Sequence, residues 1–422
     1  MLDRTIAPPF GAIKNPGIRK PERIDLSNGS PVYILNAGEQ PVIKLEIILQ
    51  SGIWHETLPG LSWITAKMLP EGSNEKSANQ IAGQFEFYGA FIEIHAGFDN
   101  TSVIVHTPKK HFEPVVELLA EIVFRPSFEA KELEILKTNK IQQLKVNNEK
   151  TNFVSSRKIR EALFGLQHPY GRSLSENEVG QIKQSAITRY FEDNFFQSPE
   201  FLISGMVEAS EVDILTRAFD IPLSSSASAN QVIKEIEGVQ DIYVEKEESV
   251  QSSIRLGWHI PDKSHPDHYR LMILNEILGG YFSSRLMKNL REDKGYTYGV
   301  HSYPAFLQHN SFLLISADVI AASTNDALSE IHKEMEILQN DKMDASELEI
   351  VRNYMAGSFL SSISSPFQVM EKFKSVHQHR LDYSYYDQFF DALQSITPAD
   401  IQDTAIAYFQ TDKLHSVVVG KK

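Results

Sequence analysis

The sequence predicts an α+β protein built from two homologous domains, each a set of strands packed beneath helices. Three observations carry this. A chain of 422 residues exceeds what one ordinary hydrophobic core serves, and two domains of roughly two hundred residues each fit best. The stretch Ala130-Lys131-Glu132-Leu133-Glu134-Ile135 returns as Ala345-Ser346-Glu347-Leu348-Glu349-Ile350, with Leu133 and Leu348 215 residues apart. Self-similarity at that distance marks a duplicated domain, not a short-repeat solenoid. Strand and helix patterns also follow a similar order in both halves.

Residues 1–23 read as an N-terminal extension and 24–221 as the first domain. Within it, Pro41 to Gln50 reads as a strand and Leu61 to Leu69 as a helix. Phe91 to Ala96 and Thr101 to Thr107 read as two strands joined by the turn Phe98-Asp99-Asn100, whose residue types favour a hairpin. Phe112 to Val123 is a helix: Phe112, Val115, Val116, Leu118, Leu119 and Ile122 recur at helical spacing and are assigned to the core. The segment Pro222-Leu223-Ser224-Ser225-Ser226-Ala227-Ser228-Ala229-Asn230 is small and polar with little to bury, which makes 222–231 the linker. In the second domain, 232–422, Val250 to Leu256 is the first strand and Tyr269 to Leu278 the helix that follows. Phe312 to Val319 is a later strand and Asn325 to Gln339 another helix.

Bulk properties narrow the function. A hydrophobic content of 42% with 23% charged residues belongs to a folded protein, not a disordered or fibrous one. A formal net charge of −14 disfavours nucleic acid, whose affinity rests on Lys and Arg neutralising phosphates. The absence of cysteine removes disulfides, thiolate catalysis and Cys-ligated zinc, and says nothing about compartment. Met1 to Gly11 lacks the basic start and apolar run of a secretory signal, and no window reaches the ~20 apolar residues of a membrane span. The expectation is a soluble, cytoplasmic protein, or a periplasmic or organellar one where a targeting segment has been removed.

Two segments bear on chemistry. The first is Gly60-Leu61-Ser62-Trp63-Ile64-Thr65-Ala66-Lys67-Met68-Leu69-Pro70-Glu71-Gly72-Ser73; the second is Ser284-Arg285-Leu286-Met287-Lys288-Asn289-Leu290-Arg291-Glu292-Asp293-Lys294-Gly295-Tyr296-Thr297-Tyr298-Gly299-Val300. From about Ile24 onward the chain resembles the insulinase, pitrilysin and mitochondrial-processing-peptidase family of inverted zincins, and within it the non-zinc subunit of the two-chain members. The resemblance implies, for each domain, a mainly antiparallel sheet covered by helices. Where the family has His-x-x-Glu-His, this chain has Trp63, Ala66 and Lys67. Two histidines four residues apart on a helix reach one zinc ion, and the glutamate between them activates a bound water. Trp63 has no lone pair for a metal, Ala66 has no base, and Lys67 is a cation. The family's further glutamate ligand is expected on the helix beginning near Glu129, yet Lys137 to Asn148 offers no carboxylate. The expectation is therefore that this chain binds no cofactor and that zinc sits on a partner.

The second segment keeps its functional side chains. By composition, Arg291 reads as part of a solvated helix end and Tyr298 as packing in the next strand. The resemblance instead implies that Arg291 positions a substrate carbonyl and Tyr298 donates to the oxyanion of a peptide under attack on a homologous zinc-bearing subunit. Arg285 and Tyr296 read as a structural pair of neighbours, with Tyr296 the alternative to Tyr298 where the register shifts by two. Extended peptides in this family add to a sheet edge, and Phe91, Glu93 and His95 on the strand Phe91 to Ala96 are the expected contacts. The implied partners are a zinc-bearing peptidase subunit and peptide substrates, and a surface built for a homologous chain also lets two copies of this one pair. Two other readings stand beside this one. The chain is a scaffold or peptide-binding protein that kept the fold and lost proteolysis, or it is an enzyme with a metal site relocated to His265 and His268.

Overall fold

A computed structural model of the chain describes residues 14–222 and 238–421. Two compact units divide it: a first of residues 19–222 with Ser365–Phe373, and a second of residues 14–18, Gly238–Ser364 and residues 374–421. Beyond Pro222 the expected linker lies outside the described residues.

The first unit is built on a six-stranded sheet. Its strands are β1 (Glu22–Asp25), β2 (Pro31–Asn36), β3 (Val42–Leu49), β4 (Phe91–Ala96), β5 (Thr101–Pro108) and β6 (Glu200–Gly205), in the order β1-β2-β6-β3-β5-β4. Only β2 and β6 pair in parallel. The second unit has β7 (Asp241–Glu245), β8 (Gln251–His259), β9 (Thr297–Phe306), β10 (Ser311–Ile320) and β11 (His415–Gly420), in the order β7-β11-β8-β10-β9, with one parallel pair, β7 and β11. Without β1, the two orders superpose strand for strand, so the duplication hinted at by the repeated hexapeptide extends to topology. It also makes β4 and β9 counterparts, each the outermost strand of its sheet with one edge facing no other strand among the described residues.

Hydrophobic patterning explains where the cores form. On β5 the residues alternate, with Val103 and Val105 at most 1% exposed and Ile104 and His106 only partly buried, because one face is packed into the main core and the other is covered less completely. Helix Phe112–Phe124 buries Phe112, Val115, Val116, Leu118, Leu119, Ile122 and Val123 on the stripe its spacing predicts. The helix expected at Tyr269 to Leu278 runs from His268 to Asn275 and then loosens into a π-helical turn, Glu276–Gly280. A second π-helical turn, Met287–Asp293, precedes β9.

The first unit's sheet has a second covered face. Tyr33, Leu35, Ile48 and Leu202 pack there with Met370, and Val369 and Phe373 flank them. Beside this cluster Lys44, 6% exposed, reaches Glu46 Oε2 at 3.0 Å and Glu371 Oε1 at 2.5 Å. Burial opposes the ammonium, but the two carboxylates outweigh it and raise the Lys44 pKa.

Candidate functional site

The motif helix Leu61–Met68 starts where Gly60, at φ +87°, turns the chain into it. A side chain at position 60 would meet Leu174 Cδ1 at 2.8 Å, so both the conformation and the space call for glycine. Glu56, 4% exposed, holds that helix end: it accepts from the backbone N–H of Gly60 at 3.1 Å and of Ser62 at 2.9 Å. Arg172 Nη2 donates to the same carboxylate at 2.6 Å. A carboxylate at a helix N-terminus complements the exposed amides and the dipole. Burial pushes the Glu56 carboxyl up in pKa, with Ser62 and Arg172 pulling against it. The scaffold around the motif is therefore firmly built although the motif residues are changed.

Those residues do not fit zinc. Trp63 and Lys67 share one helix face, and Ala66 is fully buried. Lys67 Nζ donates at 3.0 Å to the main-chain carbonyl of Ile94 on β4. Lys140, from the helix Ala130–Asn148 where the further glutamate is expected, places Nζ 4.4 Å from the centre of the Trp63 ring. An indole, a methyl group and two ammoniums offer a divalent cation no lone pair and two like charges. Lys140 is the residue sequence reasoning missed. From Lys137 to Asn148 the helix offers no carboxylate, and nothing local says which of its lysines meets Trp63; Lys137, also buried, instead pairs with Glu134 at 2.7 Å.

On β4 the side chains of Phe91, Glu93 and His95 alternate with Ile92 and Ile94. Phe91 is 59% exposed and Ile94 is in the core. His95 Nε2 lies 2.8 Å from Glu93 Oε2.

The second unit carries Arg291 and Tyr298 on consecutive elements, the π-helical turn Met287–Asp293 and β9. Gly295, at φ +66°, makes the reversal between them. Tyr296 N–H donates to the Leu290 carbonyl at 2.8 Å and its own carbonyl accepts from Ile320 at 2.9 Å, which fixes the strand start against the turn. Arg291 makes no ion pair among the described residues, despite Glu292 and Asp293 beside it; its guanidinium lies 4.6 Å from the Phe282 ring centre. Tyr298 is 90% exposed. Two residues earlier, Tyr296 is partly buried against the core, so of the two tyrosines Tyr298 is the exposed one. Arg285 is structural, but its partner is Glu347, which takes both arms of the fork at 3.0 and 2.9 Å.

His265 and His268 do not share a metal position. His265 Nδ1 accepts from the Asp267 N–H at 3.1 Å, while His268, 1% exposed, meets the Tyr385 hydroxyl at 2.8 Å through Nε2. Burial, Lys263 and His379 hold the His268 pKa down at about 4, with Asp262 opposing. The unfolded chain takes up this proton near pH 6.5, so the native state is favoured above that pH and loses stability as pH falls from 6.5 to about 4. The loss is on the order of 3 kcal/mol at the acid end. Urea midpoints measured across this range should fall with acid, and less steeply for His268→Gln.

Comparison with known proteins agrees with the fold. Residues 33–177 match the profile described as Insulinase (Peptidase family M16), and residues 179–355 the one described as Peptidase M16 inactive domain. An uncharacterised zinc protease of Bacillus subtilis is 23% identical over 83% of this chain and 86% of its own. The mitochondrial-processing peptidase subunit alpha of Pongo abelii is 22% identical over 81% of this chain and 70% of its own. Among solved structures, the peptidase M16 inactive domain from Pseudomonas fluorescens superposes with a TM-score of 0.86 at 23% identity, covering 95% of this chain and 98% of that one. A protease from Helicobacter pylori gives 0.86 at 18% identity, over 96% and 100%. The chain belongs to the insulinase, or M16, peptidase family, and is of the type without the zinc-binding residues.

Proposed function

We propose that this chain is the non-zinc subunit of a two-chain zinc metallopeptidase and contributes Arg291 and Tyr298 to peptide hydrolysis on a homologous partner. One contrast carries the reading: the motif helix holds Trp63, Ala66 and Lys67, while Arg291 has no carboxylate partner among the described residues and Tyr298 stands 90% exposed on an outermost strand. An arginine without an ion pair and a tyrosine buried in nothing do little for stability, so a ligand is the better account of both.

Hydrolysis belongs to the zinc-bearing partner. The Arg291 guanidinium presents a rigid fork that holds a substrate carbonyl in place. The Tyr298 hydroxyl donates to the peptide oxygen as it gains negative charge, an interaction stronger in the transition state than before it. Phe91, Glu93 and His95 line the β4 edge, along which an extended peptide adds by main-chain hydrogen bonds. The similarity to a processing-peptidase alpha subunit supports the same division of labour.

The test is reconstitution with a homologue that carries His-x-x-Glu-His. The isolated chain is expected to cleave no peptide and to hold less than one zinc per chain by elemental analysis, and the mixture to cleave. Cleavage by the chain alone, or stoichiometric zinc at Trp63 to Lys67, overturns the reading. Sedimentation of the isolated chain reports whether two copies pair when that partner is absent.

Among the described residues no helix is long and apolar enough to cross a membrane.

A further inference from the structure

The locus that does not fit zinc carries two cations, and among the described residues neither has an ion-pair partner. Lys67 bonds to the neutral Ile94 carbonyl at 3.0 Å. Lys140 lies on the Trp63 ring and donates to the neutral Gln143 Oε1 at 3.3 Å. Burial lowers the Lys140 pKa first, and the Lys67 charge lowers it further, so an anion beside Lys140 offsets both causes. Glu71 feels Lys67 but makes no ion pair with it. Burial and then Glu132 push the Glu71 carboxyl up in pKa, with Lys67 opposing.

The position of this pair on the sheet says what anion it meets. β4 is the outermost strand of its sheet, and a peptide added there would align its backbone with β4. Lys67 occupies the Ile94 carbonyl, so an added strand that runs up to Ile94 stops at an ammonium. What a peptide offers at the end of a strand is its terminal carboxylate.

We propose that Lys67 and Lys140 form a carboxylate site that receives the C-terminus of an extended peptide lying on β4. This deepens the reading of the chain as a peptide-binding subunit, and it needs neither a partner nor turnover. A hydrogen bond to a charged group contributes about 1.5–3 kcal/mol, so the free carboxylate is worth about tenfold or more in affinity.

The experiment uses the isolated full chain and three N-terminally labelled decapeptides of one neutral sequence: a free acid, its C-terminal amide, and an amide with one internal Asp. By fluorescence anisotropy the free acid is expected to bind about tenfold more tightly than the amide. Lys140→Gln should abolish that preference and Lys140→Arg should keep it. Emission from Trp63, isolated by comparison with Trp63→Phe, should change with the free acid only. An Asp-bearing amide that binds as the free acid does overturns the terminal carboxylate as the ligand. Equal affinity for acid and amide, no binding of either, or a preference that survives Lys140→Gln overturns the proposal. Because no cleavage is measured, failure here leaves the roles of Arg291 and Tyr298 standing, and failure of reconstitution leaves this site standing.

Discussion

Tyr298→Phe is expected to lower kcat of the reconstituted two-chain enzyme about 100-fold while leaving KM nearly unchanged, because removing one oxyanion donor costs about 10²–10³ in rate. The substitution deletes one oxygen from a side chain that is 90% exposed, so folding is expected to change by less than about 0.5 kcal/mol. That separation makes the measurement clean. Arg291→Ala should act chiefly on KM, since positioning a carbonyl is binding shared by ground and transition states. It also forfeits the contact with Phe282, an exposed cation–π pair of about 0.5–1 kcal/mol. Tyr296→Phe is the control, expected to have no effect on turnover. Steady-state kinetics of the four proteins decide the matter: unchanged turnover in both Arg291 and Tyr298 variants leaves the chain a scaffold or peptide-binding protein.

The largest loss of stability is expected from Lys44→Met. Glu46 is 1% exposed and would lose the ammonium that now lies 3.0 Å from it. Breaking a buried pair by removing one partner costs about 3–5 kcal/mol, a large share of the roughly 5–15 kcal/mol that holds a protein folded. The double variant Lys44→Met, Glu46→Leu should recover much of this, because replacing both charges with apolar groups removes the desolvation penalty of each. Urea denaturation of the first unit's signal checks it; a double variant no more stable than the single one would show that the pair is not the cause.

How much was legible in the sequence depended on whether the signal was local. β3 and β5 are rich in β-branched residues, and β8 and β10 carry apolar residues bounded by polar ones, so their places could be read directly. β1, with all four residues exposed, has no buried face to leave a pattern. The two π-helical turns of the second unit escaped because one extra residue per turn alters stacking without altering composition. Trp63, Ala66 and Lys67 could be assigned by comparing donor chemistry with what zinc requires. The role of Lys140 could not, because it depends on which face of a distant helix meets Trp63. The exposure of Tyr298 likewise depends on strand order, which makes β9 an outer strand, and not on any neighbour in sequence.

The allegiance of Ser365–Phe373 to the first unit bears on any attempt to dissect this chain. A fragment ending at residue 222 would lack Met370 and Phe373, leaving Tyr33 and Leu35 without the apolar cover they have in the intact chain. It would also lack the Glu371 carboxylate that helps neutralise Lys44. The complementary fragment would carry that cover with nothing of its own to cover. The gene therefore cannot be cut at the sequence midpoint into two self-sufficient pieces, and co-produced halves would have to find each other to complete a single fold.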